Sequence, residues 1–167
     1  LIRAHERPRH PTERARRVRL AVLVADVGRR QQLLADQHQI APRDARLLVL
    51  GSFPSVASLQ AQQYYAHPRN HFWPILAVLW REDLLAMGCV ARIAAVERHG
   101  LAIWDVYAQC RREGSLDSAI EAPLPNDLAG LIRRLPRLAA IAHNGGESAR
   151  AMRITRALGL PVHRLPS

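Results

Sequence analysis

Lysine is absent from this 167-residue sequence, and all 24 basic side chains are arginine. Schiff-base chemistry on a lysine amine and a P-loop phosphate lysine are therefore excluded. Cys89 and Cys110 are too few for a disulfide scaffold and lack zinc-site spacing, so we expect buried thiols in a reducing cytoplasm. The apolar run over residues 20–25 stops at Asp26, far short of the roughly 20 residues that a membrane span needs. We predict no membrane span and no signal peptide.

The positive charge is concentrated at the beginning of the chain. The formal net charge is +10, and the first 30 residues contain nine arginines against three acidic residues. Pro8, Pro11 and the lack of periodicity before Val18 favour a mobile basic extension over residues 1–33. The charge favours an anionic partner, but a nucleic acid and a plain solvated surface explain it equally well.

Short apolar runs alternate with helical segments over residues 34–167. The runs in "ARLLVLGSFPS", "GLAIWDVYAQC", "RLAAIAHNGG" and "LPVHRLPS" predict four buried parallel strands that end in polar loops. Helical spacing appears in "FWPILAVLW", "NDLAGLIRRL" and "ESARAMRITRALG", with Asn126 or Asp127 suited to cap the second of these. This alternation predicts a three-layer αβα sandwich with a mostly parallel central sheet and a ligand site at the carboxyl ends of its strands.

The densest group of polar and aromatic residues follows the first predicted strand. The string "YYAHPRNHFWPIL" behind a strand that ends in "GSFP" resembles the uracil-DNA glycosylase superfamily, and within it the hypoxanthine-DNA (deoxyinosine) glycosylase branch. The resemblance extends to residues 34–167, where "WDVYAQCRREGSLDSAI", "PND" and "HNGG" follow in the family's order. Mismatch-specific uracil glycosylases share the His-Pro-x-Asn-x-Phe-Trp element but match less well elsewhere.

The resemblance implies a monomeric enzyme that hydrolytically removes a deaminated base from double-stranded DNA without a cofactor. Such an enzyme must extrude the base and stack it, a task that suits Tyr64 and Tyr65. An asparagine amide can orient water through its oxygen and donate from its nitrogen, so Asn70 is the first catalytic candidate. The family pattern supports Asn70 and gives Asn144 an assisting role. Helix capping for Asn70 and a turn for Asn144 remain the structural alternatives.

The loop after the first strand supplies further candidates for contact with the base. Gly51 and Pro54 would shape a tight turn, Ser52 would donate hydrogen bonds, and Phe53 would form one wall unless it only packs. Many members of the superfamily carry a catalytic side chain where this chain has Phe53. His67 either holds the loop, touches a phosphate or has a structural role.

Asp105, at the end of the second strand, is the second catalytic candidate. Its carboxylate could polarise water or protonate the base, whereas capping or an arginine partner is the alternative. Further candidates for DNA contact are Ser58, Arg69, His143 and Ser167. The family continues with a further serine-proline segment, so we expect the domain to be truncated at its C-terminal end.

We therefore predict a DNA glycosylase with hypoxanthine as its first substrate. Uracil or mismatch specificity and a catalytically inactive DNA-binding module of the same fold are the alternatives. Metal binding is not predicted, because Pro68 separates His67 from His71 and no acidic or cysteine ligand is near in sequence.

Overall fold

A computed structural model of the chain describes residues 25–27, 30–34 and 40–166. The strands are β1 (Ala25–Val27), β2 (Arg30–Leu34), β3 (Leu47–Gly51), β4 (Leu101–Asp105), β5 (Tyr107–Arg112), β6 (Glu121–Pro125), β7 (Ala140–Asn144) and β8 (Val162–Leu165). The helices are α1 (Val56–Ala61), α2 (Phe72–Trp80), α3 (Cys89–Arg98), α4 (Leu128–Arg133), α5 (Gly146–Ala149) and α6 (Met152–Arg156). A 3-10 turn spans Asp117–Ala119.

The central sheet has the strand order β4-β3-β7-β8, and all its pairings are parallel. These are the four strands that the apolar runs predict. Because the strands are parallel, their carboxyl ends meet at one edge of the sheet. The predicted α/β fold class is therefore confirmed.

Successive residues of the central strands face two separate helical layers. Leu48 and Leu50 of β3 belong to a core cluster that includes Leu128 and Leu131 of α4. Val49 between them belongs to a second cluster on the other face, which includes residues of α2 and α3. Side chains alternate across a strand with a period of two, so this arrangement is the predicted three-layer sandwich.

A second, antiparallel sheet with the order β1-β2-β5-β6 was not predicted. Strand β1 and most of β2 fall within residues 1–33, the predicted basic extension, whose other residues lie outside the described part of the chain. Strands β5 and β6 pair with irregular register. This hairpin is formed by the segment between the "WDV" and "PND" motifs. The hairpin follows directly from the end of β4, so it borders the carboxyl edge of the central sheet.

One predicted helix differs in detail from the structure, and one alternative that the sequence left open is decided. The segment "ESARAMRITRALG" forms two short helices, because the amides of Arg150 and Ala151 bond to carbonyls only three residues back. Asp127, not Asn126, caps α4 by accepting a hydrogen bond from the amide of Gly130. Among the described residues, no helix is long and apolar enough to cross a membrane.

Candidate active site

Three strands end side by side at the carboxyl edge of the central sheet. Gly51 of β3 pairs with Asp105 of β4, and the register between β3 and β7 places Asn144 on the other side of Gly51. Equivalent positions on neighbouring strands face the same layer, so two polar side chains flank a residue that has none. A Cβ atom at position 51 would lie 2.6 Å from Asp105 Oδ1 and 3.4 Å from the Tyr65 hydroxyl. We call Gly51, Tyr65, Asp105 and Asn144 the edge cluster.

Asp105 is buried, and one of its carboxyl oxygens has a single hydrogen-bond donor. The Tyr64 hydroxyl donates to Oδ2 at 3.0 Å, while Oδ1 accepts no hydrogen bond from the residues that the structure describes. Burial raises the pKa of Asp105 to about 7; the hydrogen bond from Tyr64 and the Arg112 guanidinium oppose this rise, and the Asp117 carboxylate adds to it. Neither alternative role, a helix cap or an ion pair with arginine, is found for Asp105 in the described structure. Its carboxyl group therefore stays available for chemistry at the edge.

Tyr65 connects the edge cluster to the start of α2. Its φ angle of +53° is rare for a bulky residue and marks local strain of the kind found at functional sites. The Tyr65 ring stacks on Phe72 with centroids 4.0 Å apart, and its hydroxyl accepts a hydrogen bond from Asn144 Nδ2 at 3.2 Å. Burial raises the pKa of Tyr65, so the hydroxyl keeps its proton at neutral pH.

Tyr64 has a different role from the predicted one. Its ring lies in the core cluster beneath α2 and α3, its hydroxyl is bound to Asp105, and its carbonyl accepts a hydrogen bond from Trp73 Nε1 at 2.8 Å. The prediction that Tyr64 stacks on a base is therefore not supported by its position. The hydrogen bond from Trp73 to Tyr64 instead joins the two ends of the "YYAHPRNHFW" segment.

Asn70 lies at the start of α2 with a partly exposed side chain. Its Oδ1 accepts a hydrogen bond from the Phe72 amide at 2.8 Å. Asn70 thus bonds to the first amide of α2 from the position before the N-cap, His71, which is close to the predicted capping alternative. This bond also fixes the amide orientation, because only the oxygen can accept from a backbone N–H. Nδ2 has no partner among the described residues, and Oδ1 retains a second lone pair. The bond to Phe72 thus holds the side-chain amide in place without using up its hydrogen-bonding capacity.

The loop over residues 51–55 is anchored from the β5–β6 hairpin. Ser52 Oγ donates to Asp117 Oδ1 at 2.7 Å, and Arg112 Nη2 donates to the Pro54 carbonyl. Arg112 also stands 5.3 Å from the centroid of the buried Phe53 ring, consistent with the packing alternative for that residue. Arg112 was not among the predicted site residues, because nothing in "CRRE" distinguishes a buried arginine from a solvated one.

Asn126 is a second anchor. Its "PND" segment matches the family sequence, but its structural role could not be predicted. Its Nδ2 donates at 2.8 Å to the backbone carbonyl of Asp105. The backbone N–H of Asn126 donates to the Val106 carbonyl at 2.8 Å. The "PND" segment therefore fixes the backbone at the end of β4, where Asp105 must be held.

The predicted DNA contacts divide into inward-facing and exposed residues. His143 is fully buried, with Nδ1 bonded to Ser148 and Nε2 to Thr155, so its side chain is not available to DNA and its role is structural. Ser58 is also buried, where its hydroxyl accepts from the Ala66 amide. The exposed candidates are His67 and Arg69, and Ser167 lies outside the described residues. Contacts of the exposed pair with DNA stay predictions.

No group of three or more His, Cys, Asp or Glu side chains that could hold a metal ion occurs in the described part of the chain. Cys110 is buried and Cys89 is half-buried, and both are free thiols. Burial raises the pKa of both thiols, which does not favour a reactive thiolate.

Comparison with known proteins supports the same fold. A model of the Uracil DNA glycosylase superfamily matches residues 38–164. The chain is 33% identical over 128 residues to a Hypoxanthine DNA glycosylase of Methanosarcina acetivorans, which covers 77% of this chain and 81% of that protein. A Hypoxanthine DNA glycosylase of Methanosarcina barkeri is 33% identical over 120 residues, covering 72% of this chain and 76% of the relative.

A solved structure agrees as well. The solution NMR structure of a candidate uracil DNA glycosylase from Methanosarcina acetivorans superimposes with a TM-score of 0.71 at 32% identity. The match covers 77% of this chain and 80% of that chain.

The fold and its polar carboxyl edge define a DNA glycosylase of the α/β class. The chain belongs to the uracil-DNA glycosylase superfamily. Its likeness to relatives named hypoxanthine DNA glycosylases agrees with the branch that the sequence motifs indicate.

Proposed function

We propose that this DNA glycosylase removes deaminated bases, with hypoxanthine as the preferred one, from double-stranded DNA in base excision repair. The names of its two Methanosarcina relatives support this choice of base. The structural observation that carries the proposal is the edge cluster, in which Asp105 and Asn144 flank the bare backbone of Gly51. We further propose that the enzyme acts as a cytoplasmic monomer.

The reaction begins with extrusion of the damaged nucleotide, which costs a few kcal/mol that stacking and hydrogen bonds offset. A water molecule that donates to Asn70 Oδ1 attacks the anomeric carbon of the sugar. The glycosidic bond breaks and its electron pair leaves with the base. The attacking water gives up one proton, and the base takes up one. The water oxygen stays on the sugar as a hydroxyl group, and the products are an abasic site and the free base.

The donors that stabilise the departing base are amides and protonated oxygens. Charge develops on the base in the transition state, so fixed donors lower the barrier. Asn70 Nδ2 has no acceptor among the described residues and can donate to the base. Asn144 Nδ2 donates to the Tyr65 hydroxyl, whose own proton can be donated onward. No lysine is present to form a Schiff base at the abasic site, so a linked lyase step on a lysine is excluded.

The test replaces Asn70 by alanine and measures base release from a duplex with one deoxyinosine under single-turnover conditions. We expect a loss of about 100-fold or more, the usual cost of removing a fixed transition-state donor. Asp83→Ala is the matched control, because Asp83 also accepts a bond from a backbone amide, that of Ala86, but lies in the loop between α2 and α3. Unchanged base release by Asn70→Ala, with intact DNA binding, would reject the proposal.

A panel of duplexes carrying inosine, uracil or xanthine separates the competing functions. Faster release of hypoxanthine supports the proposed preference. Faster release of uracil assigns the chain to the alternative specificity. Binding to every lesion without base release identifies a DNA-binding module that has lost catalysis.

A further inference from the structure

Deamination changes the hydrogen-bonding character of a base at two adjacent positions. The amino group of adenine or cytosine, a donor, is replaced by a carbonyl oxygen, an acceptor. The ring nitrogen beside it changes from an acceptor to an N–H donor. A site can therefore prefer the deaminated base by placing a donor against the new carbonyl oxygen. A buried polar group that is left unpaired by the wrong base gives the strongest discrimination, up to about 10⁴-fold.

Asp105 is placed to supply such a donor when its carboxyl group is neutral. Its Oδ1 borders the bare backbone of Gly51, at 2.6 Å from the position that a Cβ atom would occupy. Its Oδ2 already accepts the hydroxyl proton of Tyr64. Burial raises the pKa of Tyr64, so that hydroxyl stays a donor at neutral pH. Because Oδ2 is occupied, the proton of a neutral Asp105 belongs on Oδ1, the oxygen that faces the site.

The surroundings of Asp105 favour the neutral form. The charged or titratable groups that act on it are Tyr64, Tyr65, Asp117 and Arg112. Arg112 is the one cation among them. It forms no ion pair with Asp105: its Nη2 donates to the Pro54 carbonyl, and its buried Nε and Nη1 have no hydrogen-bond partner in the described structure. A buried carboxylate without an ion-pair partner is costly and gains a proton instead. The pKa of about 7 is consistent with this geometry.

We propose that neutral Asp105 reads the deaminated base, by donating a hydrogen bond from Oδ1 to the carbonyl oxygen that deamination creates. This inference rests on the proposed function and identifies the residue that selects its substrate. Ionised Asp105 can only accept, so it repels the carbonyl oxygen and suits the amino group of adenine or cytosine. Preference for a deaminated base should therefore fall as the pH rises through neutrality.

The variant Asp105→Asn separates this proposal from the alternative in which Asp105 acts as a carboxylate. The Tyr64 hydroxyl selects the amide oxygen as its acceptor, which leaves the amide nitrogen in the place of Oδ1 as a permanent donor. The variant therefore imitates neutral aspartic acid at every pH. A side chain needed as a carboxylate, to accept from water or from the base, would instead fail in this variant.

The experiment measures equilibrium binding to duplexes with one 2′-fluoro-deoxyinosine, which resists cleavage, or one deoxyadenosine. For the wild type we expect the preference for the inosine analogue to fall between about pH 6 and about pH 9, approaching tenfold per unit above the pKa. The Asp105→Asn variant should keep its preference across this range. A wild-type preference that does not change with pH, or loss of the preference in Asp105→Asn, overturns the inference.

Tyr64→Phe gives a second, independent reading. The Tyr64 hydrogen bond favours the ionised form of Asp105, so its removal should move the loss of preference to higher pH. A shift to lower pH contradicts the inference. Base release measured in parallel distinguishes failure of the proposed function: pH-dependent binding without cleavage of inosine would reject the glycosylase assignment while leaving the reading of the base intact.

Discussion

His143 and Asp105 are both buried ionisable side chains at the carboxyl ends of the two parallel strands that flank β3, yet their surroundings differ in kind. His143 has a partner for each ring nitrogen, Ser148 and Thr155, and no exposed surface. Asp105 has one donor on one oxygen and none on the other within the described structure. A buried polar group with every bond satisfied stabilises the fold, whereas one with a free atom is available to a ligand.

The strand register explains this difference. His143 pairs in register with Leu50 and faces the layer of α5 and α6, where Ser148 and Thr155 are located. Asn144, the next residue on β7, faces the opposite layer together with Asp105. Adjacent residues of one strand thus serve structure and function separately.

The largest expected effect is on stability, in Asp105→Asn. The carboxyl group loses its proton near pH 4 when unfolded but only near pH 7 when folded. Between these values the folded state binds more protons, so the free energy of unfolding falls as the pH rises, by up to about 4 kcal/mol. The variant should therefore be more stable than the wild type by up to about 4 kcal/mol above pH 7 and nearly equal near pH 4.

Urea unfolding at about pH 4 and about pH 8 measures this difference directly. An equal gain at both values would mean that the amide improves packing and that ionisation of Asp105 does not cost stability. In that case the contrast with His143 would lose its physical basis.

His143→Ala should show the opposite sign. Removal of the ring leaves the Thr155 hydroxyl without its histidine partner and creates a cavity, so we expect a loss of about 3 kcal/mol at neutral pH. Burial lowers the pKa of His143, so the unfolded state protonates first as the pH falls. The stability that His143 contributes is then lost in acid, and the gap between variant and wild type should narrow below about pH 6.5. Thermal unfolding over this range tests the prediction, and a gap that widens in acid would contradict it.

Gly51→Ala tests whether the bare backbone beside Asp105 matters. The new Cβ atom would lie 2.6 Å from Asp105 Oδ1, so the carboxyl group must move by several tenths of an ångström. Displacements of this kind lower the rate of catalysis more than the stability of the fold. We expect the rate of base release to fall about tenfold and the free energy of unfolding to fall by less than about 1 kcal/mol. Gly88→Ala is the control, because a Cβ atom there meets nothing within 4 Å. Equal base release by the two variants would show that the space over Gly51 is not used.

The central sheet could be predicted because its strands are short apolar runs followed by polar loops. The β5–β6 hairpin could not, since β6 (Glu121–Pro125) is exposed throughout and contains Pro123 and Pro125. Prolines argue against a strand and are tolerated here at the outer position of the sheet. Helix α3 has no capping side chain at Gly88, so it had no clear start signal. Helix α1 is capped by Ser55 but is only six residues long, too short to show a helical periodicity.

The sequence motifs predicted which segments form the candidate site, but not which way their side chains point. The topology predicted that Asp105 and Asn144 end at one edge of the sheet, and the resemblance added Asn70 to the same site. The sequence could not show that Tyr64 points into the core while Tyr65 stacks on Phe72, because both are tyrosines in one loop. The same holds for His143 and Asn144, since a period of two separates neighbours without telling which one faces the ligand.

The smallest expected effect is in Asp117→Asn, and it tests the origin of the difference between Asp105 and His143. The Asp117 carboxylate raises the pKa of Asp105, and asparagine keeps an oxygen that can accept from Ser52. The pH at which the inosine preference is lost should therefore move down in the variant. Asp117 is exposed, so salt screens its effect, and the shift should shrink as the ionic strength rises beyond about 0.1 M, where the Debye length is about 10 Å. A shift in the other direction would mean that groups other than Asp117 set the charge state of Asp105.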